Sequence, residues 1–225
     1  MVSTADAKIT AENMAFPEDS DTFNKISFSS YKLAVLSKLN TTFIADMNFP
    51  VEAYLNNEFA RRFGRAEENI FINGTGIDEP TGLLQTAEID KTIATTDISF
   101  DDIVALYLSV KSEYRKHSIW IMNDETALTL RSVKDADGNY IWRHSDDTIF
   151  GRPVISTPYM PNIETGVKPI TFGDLSYYWI MERRPLSVKV LRERYAIEGL
   201  VGFAAHEHLD GKLIRPEAVK TLAIA

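Results

Sequence analysis

At 225 residues, with 44% hydrophobic side chains and a formal net charge of −8, the chain can build one large domain or two small ones. The absence of cysteine excludes disulfides, thiolate metal sites and a cysteine nucleophile, and the acidic balance argues against a general nucleic-acid binder. No stretch approaches the roughly 18 apolar residues of a membrane helix, and the N-terminus lacks the basic-then-apolar order of a signal peptide, so a soluble protein made in the cytoplasm is expected.

Residues 1–23 are polar and acidic, and Pro17-Glu18-Asp19-Ser20-Asp21 reads as a turn. Beyond it Ile26, Phe28, Leu33 and Val35 alternate with Ser27, Ser29, Lys32 and Ala34, the period of a strand. Two extended segments about an acidic turn make a long hairpin without a thick apolar face. It is either a surface hairpin or an arm that needs a neighbouring subunit to lie on.

Pro50 suits a first helical turn, with Asn48 as a cap, and Val51, Leu55, Phe59, Phe63, Ala66 and Ile70 then trace one apolar stripe. The pattern lasts about 20 residues, or roughly 30 Å. Gly64 is unfavourable in a helix interior, and close packing is its expected reason. The helix stops at Asn73-Gly74-Thr75-Gly76, and Pro80-Thr81-Gly82 continues as loop. Asn73, Gly74, Gly76, Pro80 and Gly82 are therefore read as structural turn residues.

Ser99, with Asp101 and Asp102 in the first turn, announces a second helix carrying Ile103, Leu106, Tyr107, Val110 and Tyr114 on one face. Ile119 to Met122 is a short strand, and Asn123 and Asp124 can cap a third helix through Leu128 and Leu130. Asp135 to Gly138 is a turn, and Tyr140 to Trp142 is brief and extended. From Gly151 onward strands are expected at 154–156, 170–172, 177–181, 186–191 and 201–205. Turn signals separate them at Gly173-Asp174, Arg184-Pro185 and Asp210-Gly211. Residues 217–222 fit a helix or a strand. The whole reads as α+β with mixed sheets.

Chemical motifs are sparse. The glycines from Gly74 to Gly82 lack the lysine and hydroxyl residue of a phosphate loop, since Leu83 and Leu84 stand there. Asp135, Asp137, Gly138 and Asn139 do not match the calcium-loop spacing. His206 and His208 share one strand face and form half of a metal site at most. No Gly-x-Ser-x-Gly segment occurs. Neither a catalytic residue nor a cofactor is expected. Arg183, Arg184, Lys189, Arg192 and Arg194 form the one basic concentration. It is a solvated strand face, an intersubunit patch or a face towards DNA.

Several segments together resemble one family, the major capsid proteins of tailed phages with the Hong Kong 97-type fold. Arg65-Ala66-Glu67-Glu68-Asn69-Ile70-Phe71-Ile72-Asn73-Gly74-Thr75-Gly76 and Glu79-Pro80-Thr81-Gly82-Leu83-Leu84 are similar to that family's helix end with its Asn-Gly-x-Gly and Pro-Thr-Gly signature. Thr10 to Phe23 and Tyr31-Lys32-Leu33-Ala34 resemble its extended loop. Asp135 to Tyr140, Gly151-Arg152-Pro153-Val154, Phe172-Gly173-Asp174, and Phe203 through Asp210-Gly211 to Ala218 resemble its later segments in order.

The resemblance implies an extended loop over residues 1–36 and a peripheral domain from 37–96 and 176–208. It implies an axial domain from 97–175 and 209–225. It implies a shell built from pentamers and hexamers of the chain around DNA held without sequence specificity, with portal, scaffolding or protease components as further partners and no membrane. The location implied is the virion, reached by assembly in the host cytoplasm. Intersubunit contact is expected at Glu12, Lys25, Lys32, Arg183, Arg184, Arg192 and Arg194. Two departures stand out. Met1 begins almost at the loop, which implies a processed or trimmed form. No asparagine follows Asn162, so lysine–asparagine cross-links from Lys8, Lys25 or Lys32 are not expected. The alternatives are an encapsulin-like shell around protein cargo and, in another class, a small metal-dependent hydrolase using His206 and His208.

Overall fold

The computed structural model describes residues 2–3, 22–23, 25–46, 50–134, 137–140, 142 and 147–225. Glu12, the 17–21 turn, Asn48 and the start of the 135–138 turn lie outside the described residues. The elements in chain order begin with β1 (Val2–Ser3), β2 (Thr22–Phe23), β3 (Tyr31–Asn40), α1 (Thr41–Asp46), α2 (Val51–Asn73), α3 (Leu83–Thr86) and β4 (Glu88–Ile93). There follow α4 (Phe100–Ser109), α5 (Ser112–Arg115), β5 (Ile119–Met122), α6 (Asp124–Ser132), β6 (Thr148–Ile149) and β7 (Arg152–Ser156). The chain ends with β8 (Ile170–Gly173), β9 (Tyr178–Leu191), β10 (Leu200–Leu213) and β11 (Val219–Ile224).

Among the described residues there are three sheets. β1 and β2 pair antiparallel, Val2 opposite Phe23, and so bring the two ends of the first 23 residues together. β3, β10 and β9 form an antiparallel sheet with β10 in the centre. The third sheet has the order β4-β11-β8-β5-β7-β6 and is mixed, with β4 parallel to β11 and β7 parallel to β5. Helices beside a purely antiparallel sheet and a mixed one make this an α+β chain.

The first turns of α2 follow the i, i+4 stripe. Val51, Leu55, Phe59 and Phe63 are buried against Val201, Phe203 and Ala205 of β10, with Leu33, Val35 and Leu39 of β3 closing the layer. Each such side chain contributes roughly 1.5–3 kcal/mol when fully buried. At the other end Ile72 joins Leu83, Ala87, Ile121, Met160, Leu213 and Val219 on one face of the six-stranded sheet. The opposite face of that sheet holds the largest core, centred on Ile103, Leu106, Trp120, Phe172 and Leu222. One helix of 23 residues, roughly 34 Å long, thus belongs to two cores.

Several expectations change. β3 starts at Tyr31 rather than Ile26, and residues 25–30 have no regular structure. Pro50 is the residue before the helix, not its first turn, and its carbonyl accepts the Tyr54 N–H. Close packing does not account for Gly64, because a Cβ there would meet nothing within 4 Å, and nothing in the structure explains the glycine. The apolar stripe ends in Ile72 rather than Ile70, since the helix there turns to a different partner sheet. The face through Tyr114 is split. α4 ends before Val110, and Tyr114 reaches the same core from α5.

Arg184-Pro185 and Asp210-Gly211 do not turn the chain. β9 and β10 run straight through them as 14-residue strands. Proline is tolerated because β9 is an edge strand and the ladder is irregular there, with His206 opposite Ser187 but His208 opposite Arg184. Residues 217–222 resolve into a short 3-10 turn and then β11.

Candidate assembly surface

Strand register gathers the basic residues. On the face of the three-stranded sheet turned away from α2, Lys32 stands opposite His208, which stands opposite Arg184. Ala34, His206 and Ser187 form the next row, then Leu36, Ala204 and Lys189, then Lys38, Gly202 and Leu191. Directly opposed residues of antiparallel strands share a face. The exposed face is therefore a strip carrying Lys32, Lys38, Arg184 and Lys189, with two imidazoles along its midline. The His206 and His208 ring centroids are 6.0 Å apart. Burial and the positive charges of Arg184, His206, Lys32 and Arg183 hold the His208 pKa below its usual value. A cation is unwelcome in that field, and among the described residues no group of three or more His, Asp or Glu could hold a metal ion.

At the far end of the strip Lys38 and Arg194 both lie over the ring of Tyr195, at 4.2 Å and 5.6 Å. Lys38 also pairs with Glu198 at 3.7 Å. Of the residues expected in contact, Lys32, Arg183 and Arg184 come together around His208. Arg192 and Arg194 sit past the opposite end of β9, and Lys25 is exposed ahead of β3. Lys38 was missing from the sequence reading, although its place on the exposed phase of β3 is visible in the alternation. Beside the strip, the first half of β9 exposes Trp179, Ile180 and Met181 in succession on a sheet edge that, among the described residues, no other strand pairs. Ile180 also borders an apolar groove of about 300 Å³ walled by Phe71, Ile72, Ile119, Ile121 and Ile155. A free edge with consecutive exposed apolar residues is a place where another chain can add.

The segment from Asn73 to Gly82 fixes this surface to the rest of the subunit. Gly74 N–H donates to Ile70 O at 2.9 Å and Gly82 N–H donates to Gly74 O at 2.7 Å. Gly76 N–H donates to Pro80 O at 3.2 Å, with Gly76 at φ +78, where a side chain is strained. A Cβ on Gly82 would lie 2.5 Å from Gly74 N and 2.6 Å from Ile72 O, so only glycine fits. Glu79 accepts from both the N–H and the hydroxyl of Thr75 at 2.9 Å, and these bonds hold its pKa below the usual value. Thr81 N–H reaches Gly211 O of β10 at 3.1 Å, and Tyr178 OH of β9 reaches Thr81 O at 2.9 Å. The loop is a crossing of α2, β9 and β10 rather than a phosphate cradle.

The model of the phage capsid family matches residues 1–224, nearly the whole chain. The chain belongs to the phage capsid family. It is a major capsid protein, a structural subunit of an icosahedral head, and its place is the virion. The capsid of a native GTA particle is similar over 96% of this chain and 80% of its own, with 29% identity and a TM-score of 0.84. The capsid of an empty GTA particle gives 29% identity over 97% and 81%, with a TM-score of 0.82. A Gordonia phage Cozz structure shares the fold over 100% of this chain and 80% of its own at 11% identity, TM-score 0.73. No curated protein matches the chain. The expected Hong Kong 97-type α+β fold is the fold of this subunit.

Proposed function

We propose that copies of this capsid protein assemble into pentamers and hexamers of a closed shell around DNA held without sequence specificity. The basic strip and the free β9 edge are the main intersubunit surfaces. The strip supports this reading most directly, because four cations lie on one solvent-facing sheet surface of a chain whose net charge is −8. Acidic segments of a neighbouring copy supply the opposite charge. Residues 1–24 hold Asp6, Glu12, Glu18, Asp19 and Asp21 against Lys8 alone.

In this reading residues 1–36 are the extended loop, and the peripheral domain (37–96 and 176–208) is α2 with most of the three-stranded sheet. The axial domain is the six-stranded sheet with its helices (97–175 and 209–225). We draw one adjustment, assigning β4 to the axial domain because it pairs with β11. Portal, scaffolding or protease components act during assembly in the host cytoplasm, and the subunit performs no catalysis. No lysine–asparagine cross-link forms between subunits.

The test is electron microscopy and sedimentation of purified wild type, Arg184→Glu and the Lys32→Glu/Arg184→Glu pair. Wild type forms shells, and the double variant stays in small species. Shells formed equally well by the double variant exclude the strip as an interface. Nuclease-protected DNA inside isolated shells separates this function from a protein-cargo compartment.

A further inference from the structure

The most unusual buried group lies on the other face of β10. Glu207 belongs to the phase of that strand that faces α2, between the buried residues Ala205 and Leu209. It is only 4% exposed, and its Oε1 finds no hydrogen-bond partner. Leu33 stands opposite it on β3 and brings no charge. α2 brings the carboxyl of Glu67 within hydrogen-bonding range, and β9 brings the carboxylate of Glu182 near enough to repel. Both charged groups that bear on Glu207 are thus acidic. Of the cations of this sheet, Lys32, Lys38, Arg184 and Lys189 are turned to the opposite face, and Arg183, at the irregular register between Arg184 and Glu182, acts on His208.

Two ionised carboxylates cannot hydrogen-bond to each other, whereas a carboxyl–carboxylate pair sharing one proton can. An ionised Glu207 in this position is a buried charge facing two more of the same sign. We infer that Glu207 and Glu67 share one proton and form a proton-dependent latch that holds the C-terminal half of α2 on the central strand β10. Burial first, then the contact with Glu67 and the charges of Glu67 and Glu182, push the Glu207 pKa up to about 8.

The direction of the linkage follows. The folded carboxyl keeps its proton to higher pH than the unfolded one, whose usual value is 4.5. The latch's contribution to stability is fully present below about pH 4.5, declines as pH rises towards 8, and is gone above it. One proton per molecule sets the limit at about tenfold in the folding equilibrium per pH unit.

The experiment is denaturant unfolding of the purified protein from pH 5 to pH 9. Wild type is compared with Glu207→Gln and Glu67→Gln, and carboxyl infrared spectra are recorded on the native proteins. Glu207→Gln flattens the pH dependence across pH 5–8 and is more stable than wild type at pH 9. Wild type at pH 7 shows the C=O stretch of a protonated carboxylic acid, and Glu207→Gln lacks it. Glu67→Gln lowers the pH at which that band disappears. Parallel unfolding profiles for wild type and Glu207→Gln, or a wild-type spectrum at pH 7 with no protonated carboxyl, overturn the latch. The infrared readout holds even if one variant refolds poorly. Neither measurement depends on shell formation, so a failed assembly proposal leaves this inference standing.

Discussion

The carboxylate of Asp210 accepts the backbone N–H of Ser29 at 2.6 Å, across 181 positions of sequence. Asp210 is fully buried in β10, and its second oxygen accepts the N–H of Gly211 at 2.8 Å. One residue further on, Lys212 donates to Ser27 O at 2.8 Å. These bonds pin the irregular segment 25–30 to the end of β10 just before β3 begins. The start of β3 is therefore fixed in place against the end of β10.

Replacing Asp210 by alanine removes the acceptor for the buried Gly211 N–H and for the exposed Ser29 N–H, which water can then satisfy. A cost of about 1–3 kcal/mol is expected, set by the orphaned Gly211 donor. Urea unfolding measures the loss, and hydrogen exchange locates it at Ser29 and Gly211. Unchanged protection at Ser29 in Asp210→Ala contradicts the tether.

Gly82 and Gly64 make opposite predictions under the same substitution. Gly82→Ala forces its Cβ onto Gly74 N and Ile72 O, and overpacking of backbone against backbone costs about 1–3 kcal/mol. Gly64→Ala meets open space on an exposed helix position and gains up to about 1 kcal/mol from helix propensity. Melting temperatures of the two variants should move in opposite directions from wild type.

The cap of α4 titrates with a definite sign. Ser99 accepts from Asp102 N at 3.3 Å while Asp102 accepts from Ser99 N at 2.9 Å and from its hydroxyl at 2.6 Å, and Lys91 pairs with the same carboxylate. Burial disfavours the charge, but the bonds from Lys91 and Ser99 together outweigh it and hold the pKa below the usual 3.8. The group's stability contribution is present above that value and lost as pH falls through the folded pKa. Wild type should lose more stability than Asp102→Asn between about pH 5 and pH 2.5. At neutral pH Ser99→Ala should cost about 1 kcal/mol.

Phe59 has no exposed surface and lies at the centre of the helix-on-sheet core. Phe59→Ala should cost about 3–5 kcal/mol in unfolding free energy. A cost under about 1 kcal/mol would mean that α2 is not seated on β10.

What could be read from the sequence was local. The Ser99 and Asn123 caps, the 51–63 stripe and the short strand at 119–122 follow from neighbours within four residues, and they stand where expected. The strands β9 and β10 were harder. Pro185 and Asp210-Gly211 carry strong turn chemistry, and only long antiparallel pairing holds the chain extended through them. The basic strip was half visible. Arg184 and Lys189 are near one another in sequence, but Lys32 and Lys38 join them only through β3–β10 register. Glu207 gave no sequence signal, because its character comes from Glu67, 140 positions earlier, and from Glu182 on the next strand.

The double membership of α2 has a mechanical consequence. A rod seated at Val51–Phe63 on one sheet and at Ile72 on another cannot tilt at one end without moving the other. A load that bends the three-stranded layer therefore arrives as torque at the Gly82 crossing. That crossing is tied to β10 by the Thr81 N–H and to β9 by the Tyr178 hydroxyl.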